Sequence, residues 1–244
     1  MKRLLSVGAG LAFVWAGSAS AYLLYDNGPF ITHPGGGSGG ADASAVQTDL
    51  GLNTYGFGHQ WLLGYSVADD FSVGAGGWTI DSIMFYAYQT NSGNNSTITG
   101  VYVQIWDGPP DGGGSVVWGD LVTNRMATTG WSNVYRVLDT DLMGTARPIM
   151  ESEATIGTTL AEGDYWIEWA SDGTLSSGPW APPISILGQT STGNGKQNLA
   201  GAWQELLDTG TGAPQGLPFL IHGIPTPGAL PLLLLGIGWT RRRR

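Results

Sequence analysis

The stretch "WTIDSIMFYAYQT", Trp78 to Thr90, decides the fold. Ile80, Ser82, Met84, Tyr86 and Tyr88 share one parity, and Asp81, Ile83 and Phe85 share the other. A strand sends successive side chains to opposite faces, so a run of this length and composition predicts β-structure. Downstream, "NSGNNST" is a turn. "ITGVYVQIW" then alternates Val101, Val103 and Ile105 against Tyr102, Gln104 and Trp106. "DGPPDGGG" is turn chemistry, since Asp, Pro and Gly supply the backbone angles and local hydrogen bonds that turns require.

The same grammar continues in both directions. "SVVWG", "NVYRVL", "PIMESEATI" and "DYWIEWAS" read as further strands. "GPWAPPIS" reads as a loop, because proline cannot donate to a central ladder. "AWQELL" fits a strand or a helical turn, and "LPFLIHG" closes the domain. Upstream, "YSVADDFSV" and Tyr22 to Phe30 are strand-like. Between them, "HPGGGSGGADAS" is expected to be a flexible loop. No Gly-Lys-Ser/Thr follows it, so it is not a phosphate loop. No part of the body sustains a 3.6-residue period, and no repeat is visible. The expected fold is all-β: an antiparallel β-sandwich of jelly-roll type. The sandwich is expected over residues 66–223, after an N-terminal strand and Gly-rich region over 22–65.

The two ends read differently. Lys2 and Arg3 precede an apolar run from Leu4 to Ala16, and Ala19-Ser20-Ala21 is a small-x-small cleavage site. Residues 1–21 are therefore expected to form a signal helix, cut before Tyr22 by signal peptidase. Residues 224–244 read "IPTPGALPLLLLGIGWTRRRR". The apolar run Ala229 to Trp239 is eleven residues, about 17 Å of helix at 1.5 Å per residue. That is short of a hydrocarbon core about 30 Å thick. The expectation is a weak, transient inner-membrane anchor, with Arg241, Arg242, Arg243 and Arg244 held on the cytoplasmic side.

Ile224, Pro225, Thr226 and Pro227, the apolar helix and the arginine cluster together resemble the PEP-CTERM sorting signal of Gram-negative bacteria. Thr226 stands where that signal usually has Glu, and the helix is shorter than usual. The resemblance implies recognition by an exosortase-like membrane enzyme and release to the cell surface or extracellular matrix. The body, through "ADDFSV", "WTIDSIMFYAYQT", "VQIWDGPPDGGGSVVWGD" and "GPWAPP", resembles an uncharacterised secreted bacterial domain found beside such tails. That second likeness bears on fold and location alone.

Composition bounds the chemistry. There is no cysteine, so the core must hold itself without disulfides and no thiolate metal site exists. All 19 acidic residues lie in the body, against Arg125, Arg136, Arg147 and Lys196, a net charge of −15. Nothing there can neutralise a phosphate backbone, so nucleic acid is not an expected partner. His33, His59 and His222 form no metal-ligand spacing. There is no G-x-S-x-G elbow.

Three candidates remain. Asp69 and Asp70, adjacent at a strand entry, could join loop carbonyls around a structural Ca²⁺; an inward carboxylate could equally pair with Arg125, Arg136 or Arg147. Trp106 and Trp180 border Pro/Gly loops and are the candidates for stacking on sugars. Trp166 and Trp169, three apart, are expected on opposite faces, one of them in the core. Asp69, Asp70, Asp81, Asp107, Glu151, Glu153 and Glu168 could supply the carboxylate pair of a glycoside hydrolase or lyase, though no spacing selects a pair. The expected function is a non-enzymatic, exported surface or matrix protein, structural or adhesive towards extracellular polysaccharide. A carbohydrate-active enzyme is the alternative.

Overall fold

The computed structural model describes residues 22–226. Ala19, Ala21, Pro227 and Arg241 to Arg244, with the expected signal helix and apolar tail, lie outside the described residues. Fourteen strands are described: β1 (Tyr22–Asp26), β2 (Asp42–Val46), β3 (Phe57–Gly58), β4 (Tyr65–Val73), β5 (Trp78–Ala87), β6 (Ile98–Trp106) and β7 (Val116–Asp120); then β8 (Met126–Leu138), β9 (Pro148–Leu160), β10 (Gly163–Gly173), β11 (Trp180–Ala181), β12 (Lys196–Leu199), β13 (Ala202–Glu205) and β14 (Phe219–Pro225). Short 3-10 turns at Ser38–Gly40, Thr48–Leu50 and Trp61–Leu63 supply the helical content. No helix among the described residues is long and apolar enough to cross a membrane.

The strands build two six-stranded sheets, ordered β1-β14-β5-β9-β8-β2 and β13-β12-β4-β10-β6-β7, and a small β11-β3 pair. Every pairing is antiparallel except β2 on β8. The all-β expectation holds, in a sandwich-like arrangement. One apolar core joins the two large sheets: Ile80, Ile83, Phe85, Ala154 and Phe219 from the first meet Val67, Phe71, Val101, Val103, Ile105, Ile167 and Trp169 from the second. In β6 the alternation holds, with Val101, Val103 and Ile105 fully buried in that core. Trp169 is the core member of its pair, stacked on Phe85 at 4.8 Å, and Trp166 faces the other way.

In β5 the simple alternation breaks. Ile80, Ile83 and Phe85 all enter the core, although Ile80 and Ile83 differ in parity. The register against β14 slips between Ile80 and Ser82, where exposed Asp81 is the extra residue. A β-bulge of one residue exchanges the two faces. Beyond it, Met84 and Tyr86 point outward and are covered by Phe30 and Ile31 from the segment after β1.

The segment before β4 also contributes to the sheets: β1 pairs with β14 and β2 with β8. The Gly-rich stretch is hydrogen-bonded, with Asp42 Oδ1 accepting from the Gly35 N–H at 2.7 Å, and it runs into β2. "AWQELL" gives strand β13. At the C-terminal side, β14 passes Gly223 to pair Ile224 with Thr79 and Pro225 with Trp78. The Thr226 N–H then donates to Gly77 O at 2.9 Å.

β5 therefore marks two opposite ends. Near Trp78 lie Tyr22, Gly223 and Thr226. At Tyr88, just past its other end, the backbone exchanges hydrogen bonds with Trp180, 2.9 Å each way. At about 3.3 Å per residue, roughly 30 Å separates them.

Candidate ligand-binding groove

The groove at the Trp180 end is made by a hairpin that extends the second sheet. β12 pairs with the edge of β4, Gln197 opposite Val67, and β13 folds back on β12, Gln204 opposite Gln197. The connecting turn is Ala200-Gly201, with φ of 52° and 99°. Two left-handed residues in a two-residue loop make the tight hairpin turn that suits strand twist. The facing wall is the β3–β11 pair, Gly58 opposite Trp180. Gln197 Nε2 ties hairpin to wall through Gly58 O at 2.7 Å, and Gln204 Nε2 donates to Gln197 Oε1 at 3.0 Å.

Two cavities meet there. One, of about 590 Å³, is walled by Leu62, Leu63, Leu175, Leu199 and Tyr65, with Asp172 at its edge. The other, of about 520 Å³, is lined by Thr54, Phe57, Gln204, Glu205, Leu207 and Thr209. Gly58, Trp180 and Gln197 line both. Trp180 is half-buried, and its indole N–H donates to Ser177 Oγ at 3.3 Å. Gly178 sets its position: φ is +92°, and a Cβ there would meet Trp180 Cδ1 at 2.5 Å. Leu62 and Leu63 are 73% and 56% exposed, so the first cavity presents apolar surface to water. Oε1 of Gln60, in the same wall, is buried without a donor.

No Lys or Arg lines either cavity. The four body cations are engaged elsewhere. Arg125 bridges Asp120 at 3.2 Å, Arg147 lies 3.8 Å from the Tyr55 ring centroid, and Lys196 bridges Asp111 at 2.8 Å. Arg136 is buried and donates to Tyr55 O, Thr54 O, Ser44 Oγ and Ser185 Oγ, all within 3.0 Å. Burial draws its pKa down to about 10.

Of the two stacking candidates, Trp180 lines both of these cavities and Trp106 neither. Trp106 is half-buried and donates its indole N–H to Glu168 Oε2 at 3.0 Å. Glu168 is buried on the outer side of the second sheet, where it also accepts from Ser66 Oγ at 2.5 Å and Gln104 Nε2 at 2.7 Å. None of the seven nominated carboxylates lines either cavity; Asp172 and Glu205, which do, were not among them. Asp172 lines the first cavity and Glu205 the second. Glu205 reaches the groove on a hairpin docked on β4, a long-range event that leaves no mark in local spacing, and Asp172 reaches it from β10.

The calcium pair diverges. Asp69 is buried, its oxygens taken by N–H groups: Asn27 Nδ2 at 3.0 Å, Leu217 N at 2.7 Å and Asp70 N at 3.0 Å. Its partners are amides, where an ion or an arginine was expected. Asp70 lies on the other face, opposite Trp166 in the ladder. Burial raises the Asp69 pKa to about 7 against those N–H donors, which pull it down. Among the described residues no three His, Cys, Asp or Glu side chains gather as metal ligands. His59 Nε2 lies 3.1 Å from Ser171 Oγ, but both are buried and His59 Nδ1 faces Phe57 O, so the pair lacks both an acid and access. Burial lowers the His59 pKa to about 4.

No protein-family model, curated protein or solved structure matches the chain.

Proposed function

We propose that this is an exported bacterial surface or matrix protein that binds uncharged glycan at Trp180 without catalysis. The observation that carries the reading is the junction of two cavities at one half-buried tryptophan, edged by Gln197, Gln204 and Glu205. An indole offers an apolar face to a sugar ring, and amide and carboxylate groups beside it take its hydroxyls. Hydrolysis would call for two carboxylates about 5–9.5 Å apart across one cleft. None of the seven carboxylates named from the sequence lines either cavity, which favours binding over hydrolysis.

Export is supported by Lys2, Arg3 and the Ala19-Ser20-Ala21 site, and passing membrane retention by Pro225-Thr226-Pro227, the apolar run and Arg241 to Arg244. Signal peptidase and an exosortase-like enzyme are the processing partners of this reading. The jelly-roll reading rests on strand order. Taken in sequence, β1, β4, β5, β6, β7, β9, β10 and β14 fall first-eighth-third-sixth in one sheet and second-seventh-fourth-fifth in the other, the order of two nested Greek keys.

The test is a glycan-array screen of the protein against its Trp180→Ala variant. Binding to neutral glycans that the variant loses supports the reading. Equal binding by both, or binding to acidic glycans alone, overturns it.

A further inference from the structure

The two cavities differ in chemistry, and the difference says more than the presence of a groove. The larger is walled by Leu62, Leu63, Leu175 and Leu199. Sugar hydroxyls gain nothing from four leucines. An acyl or alkyl chain does, because each CH₂ removed from water favours binding. The second cavity has Thr54, Gln204, Glu205 and Thr209 on its walls, groups that exchange hydrogen bonds with hydroxyls. Gly58, Trp180 and Gln197 line both, so the cavities adjoin, and a ligand long enough to occupy both would cross at Trp180.

Charge narrows the choice of head group. Asp172 edges the leucine cavity and Glu205 the polar one, with no cation in either lining. The body around them carries 19 acids against four bases. A phosphate, sulfate or carboxylate head would be repelled and left unpaired. An uncharged polyhydroxylated head is not.

We propose that the joined groove binds an amphipathic glycoside: a neutral sugar head in the Gln204–Glu205 cavity and its hydrocarbon chain along Leu62, Leu63 and Leu175, with Trp180 at the junction. The proposal rests on the glycan reading above and sharpens it from free polysaccharide to glycolipid. One feature fits this ligand better than a bare sugar chain: Leu62 and Leu63 are 73% and 56% exposed, which leaves an apolar strip for the hydrocarbon chain to cover.

The experiment uses the full chain, purified free of detergent. It is titrated with octyl β-D-glucoside below its micelle-forming concentration, with cellotetraose, with octanol and with octyl β-D-glucuronide, and tryptophan fluorescence or calorimetry gives each affinity. Octyl glucoside is expected to bind at least tenfold more tightly than cellotetraose, octanol or the glucuronide. Leu62→Ser with Leu63→Ser should remove that advantage and leave cellotetraose affinity unchanged; both sites are exposed, so the fold should tolerate them. Gln204→Ala should weaken both sugar probes and spare octanol. Cellotetraose matching octyl glucoside, unaffected by the leucine changes, overturns the glycolipid proposal and leaves the glycan reading standing. Octanol matching octyl glucoside, or no binding by any probe, overturns both. A glucuronide as tight as the glucoside overturns the charge argument, and with it the head group assigned.

Discussion

Asp69 and His59 are buried ionisable groups with opposite effects on stability. Asp69 titrates near 7 in the folded protein against an ordinary 3.8, so its protonated form favours the fold. That contribution is fully present below pH 3.8 and is lost as pH rises through about 7. His59 titrates near 4 against an ordinary 6.5, so its neutral form favours the fold. That contribution is present above pH 6.5 and is lost as pH falls through about 4. Between these limits the two slopes oppose each other, and the protein should show little net pH dependence from them. Asp69→Asn should expose the His59 slope: stability falling on acidification by up to about 1.4 kcal/mol per pH unit. Urea denaturation at pH 4, 5, 6 and 7 reads this directly, and parallel profiles for variant and parent would mean that Asp69 stays ionised throughout. Arg136→Met is expected to cost about 3 kcal/mol or more, since Thr54 O, Tyr55 O and two serine hydroxyls lose their donor in a buried site. Thermal denaturation of that variant is the check.

The strands were largely legible in the sequence, and the exceptions have causes. β6 alternates without a break, so its core face could be read from Val101, Val103 and Ile105. β5 could not be read through Asp81, because a bulge forms between partners and not within one strand. Trp180 could be nominated from the Pro/Gly stretch around it, whereas Trp106, with similar flanks, turned to a buried acid that lies 62 residues away. The β12–β13 hairpin was legible only as an ambiguous segment, yet it carries half the groove. Its turn has an alanine at φ 52°. A non-glycine residue there costs roughly 1–2 kcal/mol, and Asn tolerates that conformation better than Ala. Ala200→Asn, which creates the preferred Asn-Gly turn, should raise stability by about 1 kcal/mol without altering ligand affinity. Unchanged or lower stability would mean that the turn is not strained. Gly223→Ala should act in the opposite sense, because a Cβ there would strike Thr79 O across the β14–β5 ladder. A loss of about 1–3 kcal/mol is expected by chemical denaturation.

At the scale of the whole molecule, the proposed function gives the two ends of the sandwich different work. Ile224 and Pro225 lie within β14, and Thr226 is bonded to Gly77. A processing enzyme that needs extended, free chain should therefore cut C-terminal to Thr226. Mass spectrometry of the released protein should find its last residue at Thr226 or beyond, and no peptide with Arg241 to Arg244. A terminus inside residues 219–225 would show that the last strand peels away before cutting.

The two ends also set how the molecule carries mechanical load. A protein tethered through Thr226 and tugged by something held at Trp180 is pulled along the strand axis from opposite ends. β14 is drawn one way, and β5, bonded to Trp180 through Tyr88, is drawn the other. Antiparallel neighbours dragged past each other share the load across all the rungs from Phe219 to Pro225 at once. Pulling on Tyr22 and Thr226 instead grips β1 and β14 at the same end and opens their rungs one after another. Force spectroscopy should find a higher rupture force in the first direction than in the second, so this sandwich resists a tug from its groove and yields to one applied at its two termini.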